Sequence, residues 1–177
     1  MRFLTKEEAC SWCKGTPPLL DDRGWPAKWP ASFQALRFAY PHEPAARLFW
    51  ISRCLIDAVG YWEEALLWVT LTGVWASSEN THLYYRLRES YGDRRHLDQA
   101  PGHLALRHEG EDLKTLVHLC LLFGWNAFLL TDRDDARVFL CHDEYAEVAV
   151  PDGKSIETLR TYLESGGLEV ELGRSAV

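Results

Sequence analysis

Three short stretches of this 177-residue chain carry residue types that could do chemistry. Cys10-Ser11-Trp12-Cys13 has the CxxC spacing of redox pairs and of zinc half-sites. A redox pair works when its first thiol sits at the amino end of a helix that follows a strand, where the helix dipole stabilises thiolate. Here no strand is read ahead of the motif, and the pair falls near the end of a helix read from Lys6 to Lys14, where the dipole disfavours an anion. As a zinc half-site it lacks a second CxxC or an HxxxH, since only Cys54, Cys120, Cys141 and scattered histidines remain. Cys10 and Cys13 are therefore read as packing residues, and no metal or cofactor is expected.

Cys141-His142-Asp143-Glu144 sets a thiol beside a base and two acids. On a strand, neighbours point to opposite faces, so Cys141 and His142 cannot form a dyad while the strand continues. A cysteine nucleophile would need His103, His108 or His118 from elsewhere. Asp132-Arg133-Asp134-Asp135 invites a hard-cation reading, but against the EF-hand template its fifth position is Ala136 and its sixth is Arg137 in place of glycine. A looser carboxylate pair with Asp143 or Glu144 stays open. The sequence holds no HExxH, no GxSxG and no glycine-rich phosphate loop. A weak anion site is read at Ser77 and Ser78, where a helix start offers backbone amides, with Arg86 and Arg88 nearby. Glu89, Asp93 and Asp98 interleave with those arginines and favour a salt-bridged surface instead.

The element pattern that would position these groups is clearest between Leu116 and Val150. Leu113, Leu116, Val117, Cys120 and Phe123 recur at helical spacing, and Gly124 falls where a helix stops in the left-handed conformation. Trp125 to Thr131 is apolar on both alternating faces, the mark of a strand covered on both sides. The acidic turn and a strand from Arg137 to His142 then make an antiparallel hairpin over 125–142.

Upstream, Thr5 and Glu8 form a capping box for the first helix, and Trp25-Pro26 and Trp29-Pro30 anchor a loop across the body. Ala35 to Tyr40 reads as a strand. Pro44 opens a helix with Leu48, Ile51, Leu55 and Val59 inward, its stripe widened by Phe49, Trp50 and Ile56. Leu66 to Trp75 reads as a buried strand, and Leu83, Tyr84, Leu87 and Tyr91 share one face of the next helix. His103 to Arg107 is a short strand, Ser155 caps a helix, and Leu168, Val170 and Leu172 alternate along an edge strand. Strands and helices alternate, so the expected fold is a single α/β domain over 1–177: a mixed sheet with helices on both faces, and residues 1–30 packed on it.

Composition sets the function classes. The longest uncharged apolar runs fall short of the roughly 20 residues a membrane-spanning helix needs, and the charged start does not read as a signal peptide. Five cysteines without dense spacing fit a reducing compartment, so a cytoplasmic protein with reduced thiols is expected. Net charge is −7, unevenly spread: residues 1 to 108 hold 13 basic against 12 acidic residues, and residues 109 to 177 hold 6 against 14. That asymmetry speeds encounter with basic partners and repels nucleic-acid backbones. The preferred reading is a protein-binding accessory or immunity-like module. It would meet a basic protein partner through Asp132, Asp134, Asp135, Asp143, Glu144 and Tyr145. The alternatives are an enzyme whose Asp, Glu, His or Cys residues converge from distant segments, and an obligate homo-oligomer joined through its tryptophan-rich segments.

Overall fold

The computed structural model describes residues 1–13, 29–41, 45–72, 81–151 and 156–173. Their strands are β1 (Arg2–Leu4), β2 (Phe33–Ala39), β3 (Glu64–Leu71), β4 (Gly102–Leu106), β5 (Asn126–Thr131), β6 (Arg137–Cys141), β7 (Tyr145–Pro151) and β8 (Val170–Leu172). The α-helices are α1 (Lys6–Trp12), α2 (Ala45–Ala58), α3 (Thr81–Ser90), α4 (Gly110–Phe123) and α5 (Ile156–Ser165). One sheet takes all eight strands in the order β1-β4-β3-β5-β6-β7-β2-β8.

Every pairing in that sheet is antiparallel, where the sequence was read as a mixed sheet. The alternation of helices and strands misleads here for a specific reason. The crossover through α4 does join two strands of like direction, β4 and β5, but β3 lies between them and runs the other way. The crossover through α5 joins β7 and β8 around β2 in the same manner. Helical connections that skip one strand leave no parallel neighbours.

The turn from α4 into β5 follows from local chemistry. Gly124 adopts φ 60° and ψ 47°, and the amide of Trp125 donates back to the carbonyl of Cys120 at 2.9 Å, closing a Schellman-type stop. The strand then begins at Asn126, one residue later than the apolar run alone indicates, because the Trp125 amide belongs to the helix cap. All six residues of β5 are buried, as expected for a strand covered on both faces. The β5–β6 hairpin is present, and it continues into β7, a third strand the sequence reading missed. The short edge strand β1, ahead of the CxxC motif, was missed as well.

Helices cover both faces, unequally. On one face α2, α4, α5 and Tyr84 of α3 join a core with Leu36, Phe38, Leu67, Ala127, Leu129, Val138 and Val148 of the sheet. On the other, α1 and Trp29 pack over Leu66, Trp68, Phe128, Phe139 and Ala149. Gly102 allows the close approach of α1: a Cβ there would meet Leu4 Cβ at 3.0 Å and Ala9 Cβ at 3.3 Å. Two inward assignments fail. Phe49 and Trp50 of α2 are 43% and 36% exposed, because a 14-residue helix on a sheet has only one buried stripe. Leu83 of α3 is also exposed, and Arg88 is buried in that helix instead. Among the described residues no helix is long and apolar enough to cross a membrane.

Gly124→Ala should cost about 1–2 kcal/mol, the penalty of a left-handed backbone for an L-residue. Urea unfolding checks this, and an unchanged midpoint would mean the helix stop does not need the left-handed residue.

Candidate functional site

Among the described residues the sheet's second face is covered by Trp29 and by α1, which ends at Trp12. Ser11, Trp12 and Cys13 there face the start of β3, the end of β5 and the β5–β6 turn across a cavity of about 400 Å³. Its other walls are Glu64, Leu130, Thr131, Asp132, Asp134 and Arg137. The capping box of α1 is present, with the Glu8 amide donating to Thr5 Oγ1 and the Thr5 amide to Glu8 Oε2 at 2.8 Å. It fixes the helix at its far end, and Trp12 fixes it at the cavity. The Trp12 indole N–H donates to Glu64 Oε2 at 2.9 Å.

Register brings the acidic groups together. Ala65 lies opposite Thr131 in the β3–β5 ladder, so Glu64 and Asp132 are the next cross-strand pair, and the Asp132 amide donates to the Glu64 carbonyl at 3.0 Å. Asp132 Oδ1 accepts the Glu63 amide at 3.2 Å. Neither Glu64 nor Asp132 forms an ion pair with any described residue. Their donors among the described residues are a neutral indole and a neutral amide, and neither brings a charge to answer the carboxylates. Asp134 differs. It takes φ 52°, and the Arg137 guanidinium donates to both its oxygens at 2.7 and 2.9 Å. Arg137 is itself nearly buried and lies 4.9 Å from the Phe33 ring centroid. On the far side of the turn, Arg133 and Arg107 lie over the ring of Tyr61, which turns both cations away from the cavity.

The acidic residues singled out from sequence separate into two groups. Asp132, Asp134 and Asp135 are at the β5–β6 turn, whereas Asp143 and Glu144 are at the β6–β7 turn. Those turns are at opposite ends of β6, whose five residues span roughly 16 Å. They form no continuous cluster, and a cation site shared between Asp132–Asp135 and Asp143 or Glu144 is ruled out by that separation. Tyr145 is 5% exposed and lies under the Arg37 guanidinium at 3.6 Å, so it is a packing residue.

Arg88 is fully buried among Tyr84, Asp93 and the Ala100 carbonyl, which removes it from any surface anion site; Arg86 stays exposed on α3. Ser77 and Ser78 lie outside the described residues. Cys13 is buried, and burial pushes its thiol up to about 11, the opposite of a reactive cysteine. Cys141 is buried too, and burial also raises its thiol. Among the described residues no three His, Cys, Asp or Glu side chains are placed to hold a metal ion.

The second face holds one more charged group that sequence reasoning passed over. Glu147 of β7 is 2% exposed; its Oε2 accepts the Trp29 indole N–H at 2.8 Å, and its Oε1 has no hydrogen-bond partner. Glu64 was missed because nothing local distinguishes it from Glu63; only the β3–β5 register sets it beside Asp132. No protein-family model matches this chain, and no curated protein matches it. Its chemistry is therefore read from the geometry alone: an acidic cavity with an indole wall and, among the described residues, no assembled nucleophile.

Arg137→Met should keep the packing over Phe33 and remove the pair with Asp134. The expected loss is about 1–2 kcal/mol in urea unfolding, discounted for the half-exposed aspartate. An unchanged midpoint would show that the turn does not depend on this ion pair.

Proposed function

We propose that this chain is a protein-binding accessory module that takes a lysine or arginine side chain of a basic partner into the cavity beside α1. The observation that carries the reading is the pair Glu64 and Asp132. Two cross-strand carboxylates border one cavity and form no ion pair with a described residue, the nearby Arg137 being taken by Asp134. Like charges placed side by side are destabilising unless something answers them, and a partner's cation would. Trp12 and Leu130 offer an apolar wall for the methylene stem of such a side chain, and an indole face attracts the cationic head. The 14 acidic against 6 basic residues after position 108 add a long-range field that favours a basic partner and speeds its approach. Asp143 and Glu144, on the far turn, contribute to that field but not to the cavity.

Native mass spectrometry of the chain isolated gently from its own source tests this. The expected spectrum carries the extra mass of a basic polypeptide that dissociates as ionic strength is raised. The same preparation of the Glu64→Gln, Asp132→Asn chain should be bare. A bare wild-type monomer, or a complex indifferent to both salt and the substitutions, would overturn the reading.

A further inference from the structure

At the β1 edge of the sheet a chain of hydrogen bonds runs through the interior with only one possible polarity. His103 of β4 is 0% exposed, and its Nδ1 is 3.1 Å from the Leu67 carbonyl oxygen of β3. A carbonyl can only accept, so Nδ1 carries the ring proton and Nε2 presents a lone pair. Tyr84 of α3, 2.8 Å away, must then donate its hydroxyl proton to Nε2. Arg88 Nη1 donates in turn to the Tyr84 oxygen at 2.7 Å, and to the Ala100 carbonyl at 3.1 Å.

The same groups hold the N-terminal strand. Phe3 of β1 lies edge-on to His103 with ring centroids 5.4 Å apart, and the Arg88 guanidinium lies 4.5 Å from the Phe3 centroid. Arg95 donates to the Phe3 carbonyl at 2.8 Å. Among the described residues, few charged or titratable groups surround His103. From α3 come Arg88 and Tyr84, and from the loop after it Asp93, which pairs with Arg88 at 2.9 Å and is shared with Arg95. From α4, Cys120 approaches Tyr84, while β1 and β3 present only the Phe3 ring and the Leu67 carbonyl. One carboxylate therefore already answers two guanidiniums.

We propose that His103, Tyr84 and Arg88 form an acid-sensitive latch, and that protonation of His103 releases β1 and α3 from the sheet while the central strands stay folded. A proton on Nε2 would compel the Tyr84 hydroxyl to turn its own proton away and accept, at an oxygen to which Arg88 already donates. It would also add a second cation to a buried site where Asp93, the one carboxylate there among the described residues, is already shared. Release of β1 bares the outer edge of β4, and it frees α1, which follows β1 after one residue, from its seat on Gly102. The latch stands independently of what the cavity beside α1 binds.

Burial, with a smaller contribution from Arg88, pulls His103 down from 6.5 to about 4 against the raising effects of the Leu67 and Pro101 carbonyls and of Asp93. The released state has the ordinary value, so the latch is fully held above pH 6.5 and weakens as pH falls toward about 4.

Hydrogen exchange read by mass spectrometry across this range, corrected for intrinsic exchange, tests the proposal. Opening of Arg2–Leu4, Thr81–Ser90 and Gly102–Leu106 should rise about tenfold per pH unit between 6.5 and about 4, while Asn126–Thr131 stays protected. His103→Gln, whose amide can accept from Tyr84 and donate to Leu67 without titrating, should flatten that slope. If the variant does not fold, the ring nitrogens of His103 in the unaltered chain decide by NMR. Their protonation must track the opening and start from the Nδ1–H tautomer. An equal rise in all strands, a slope unchanged in His103→Gln, or ring protonation out of step with opening would overturn it.

Discussion

Burial of β5 on both of its faces is the constraint from which the rest follows. A strand with no polar face needs a cover on each side of the sheet, and this chain supplies two covers of different weight. Four helices pack on one face; α1 and the Trp29 segment do the work on the other. A seven-residue helix is about 10 Å long, shorter than the strands it crosses. It starts near Gly102, at one end of β4, and its last turn reaches Glu64, where Trp12 and Cys13 form one wall of the cavity beside the ends of β3 and β5 and the β5–β6 turn.

Charge in this molecule is handled in three ways, and the contrast gives the cavity its meaning. Arg88, fully buried, is answered by Asp93, whose carboxyl burial would raise but which hydrogen bonds from Arg95 and Arg88 hold below its ordinary value. Asp134 is answered by a two-pronged contact from Arg137. Among the described residues, Glu64 and Asp132 receive neutral N–H donors. Glu147, enclosed under the Trp29 indole, likewise has only a neutral donor. What sets Glu64 and Asp132 apart is that they stand side by side on neighbouring strands at one cavity.

What could be read from sequence is what is decided locally. The α4 stop at Gly124, the all-apolar β5 and the acidic turn depend on residues within a few positions of one another, and all three are found. The partners that make the site are far apart in the chain: the Glu63 amide and Asp132 are 69 residues apart, and Trp12 and Glu64 are 52. Only strand register unites them, and register is not visible in one sequence. Tyr145–Pro151 was passed over as a strand because Asp143 and Glu144 look like open surface and Glu147 interrupts the apolar pattern. In the fold Glu144 turns at φ 61°, and Glu147 is buried beneath an indole. Arg88 reads as a surface cation until Phe3, from the other end of the sequence, is laid over it. The five acidic residues and Tyr145 looked like one patch because a five-residue strand between two turns is short in sequence and long in space.

The most direct test of the cavity uses two tryptophan indoles as reporters on two carboxylates. Trp12 Nε1–H donates to Glu64 in the cavity, and Trp29 Nε1–H donates to the enclosed Glu147. Titration with a short, capped lysine- and arginine-containing peptide, followed by nitrogen–proton NMR, should move the Trp12 indole resonance in a saturable way and leave that of Trp29 in place. The shift should vanish in the Glu64→Gln, Asp132→Asn chain. A Trp12 resonance that does not move, or moves equally in that variant, would contradict the assignment of this cavity to a basic partner.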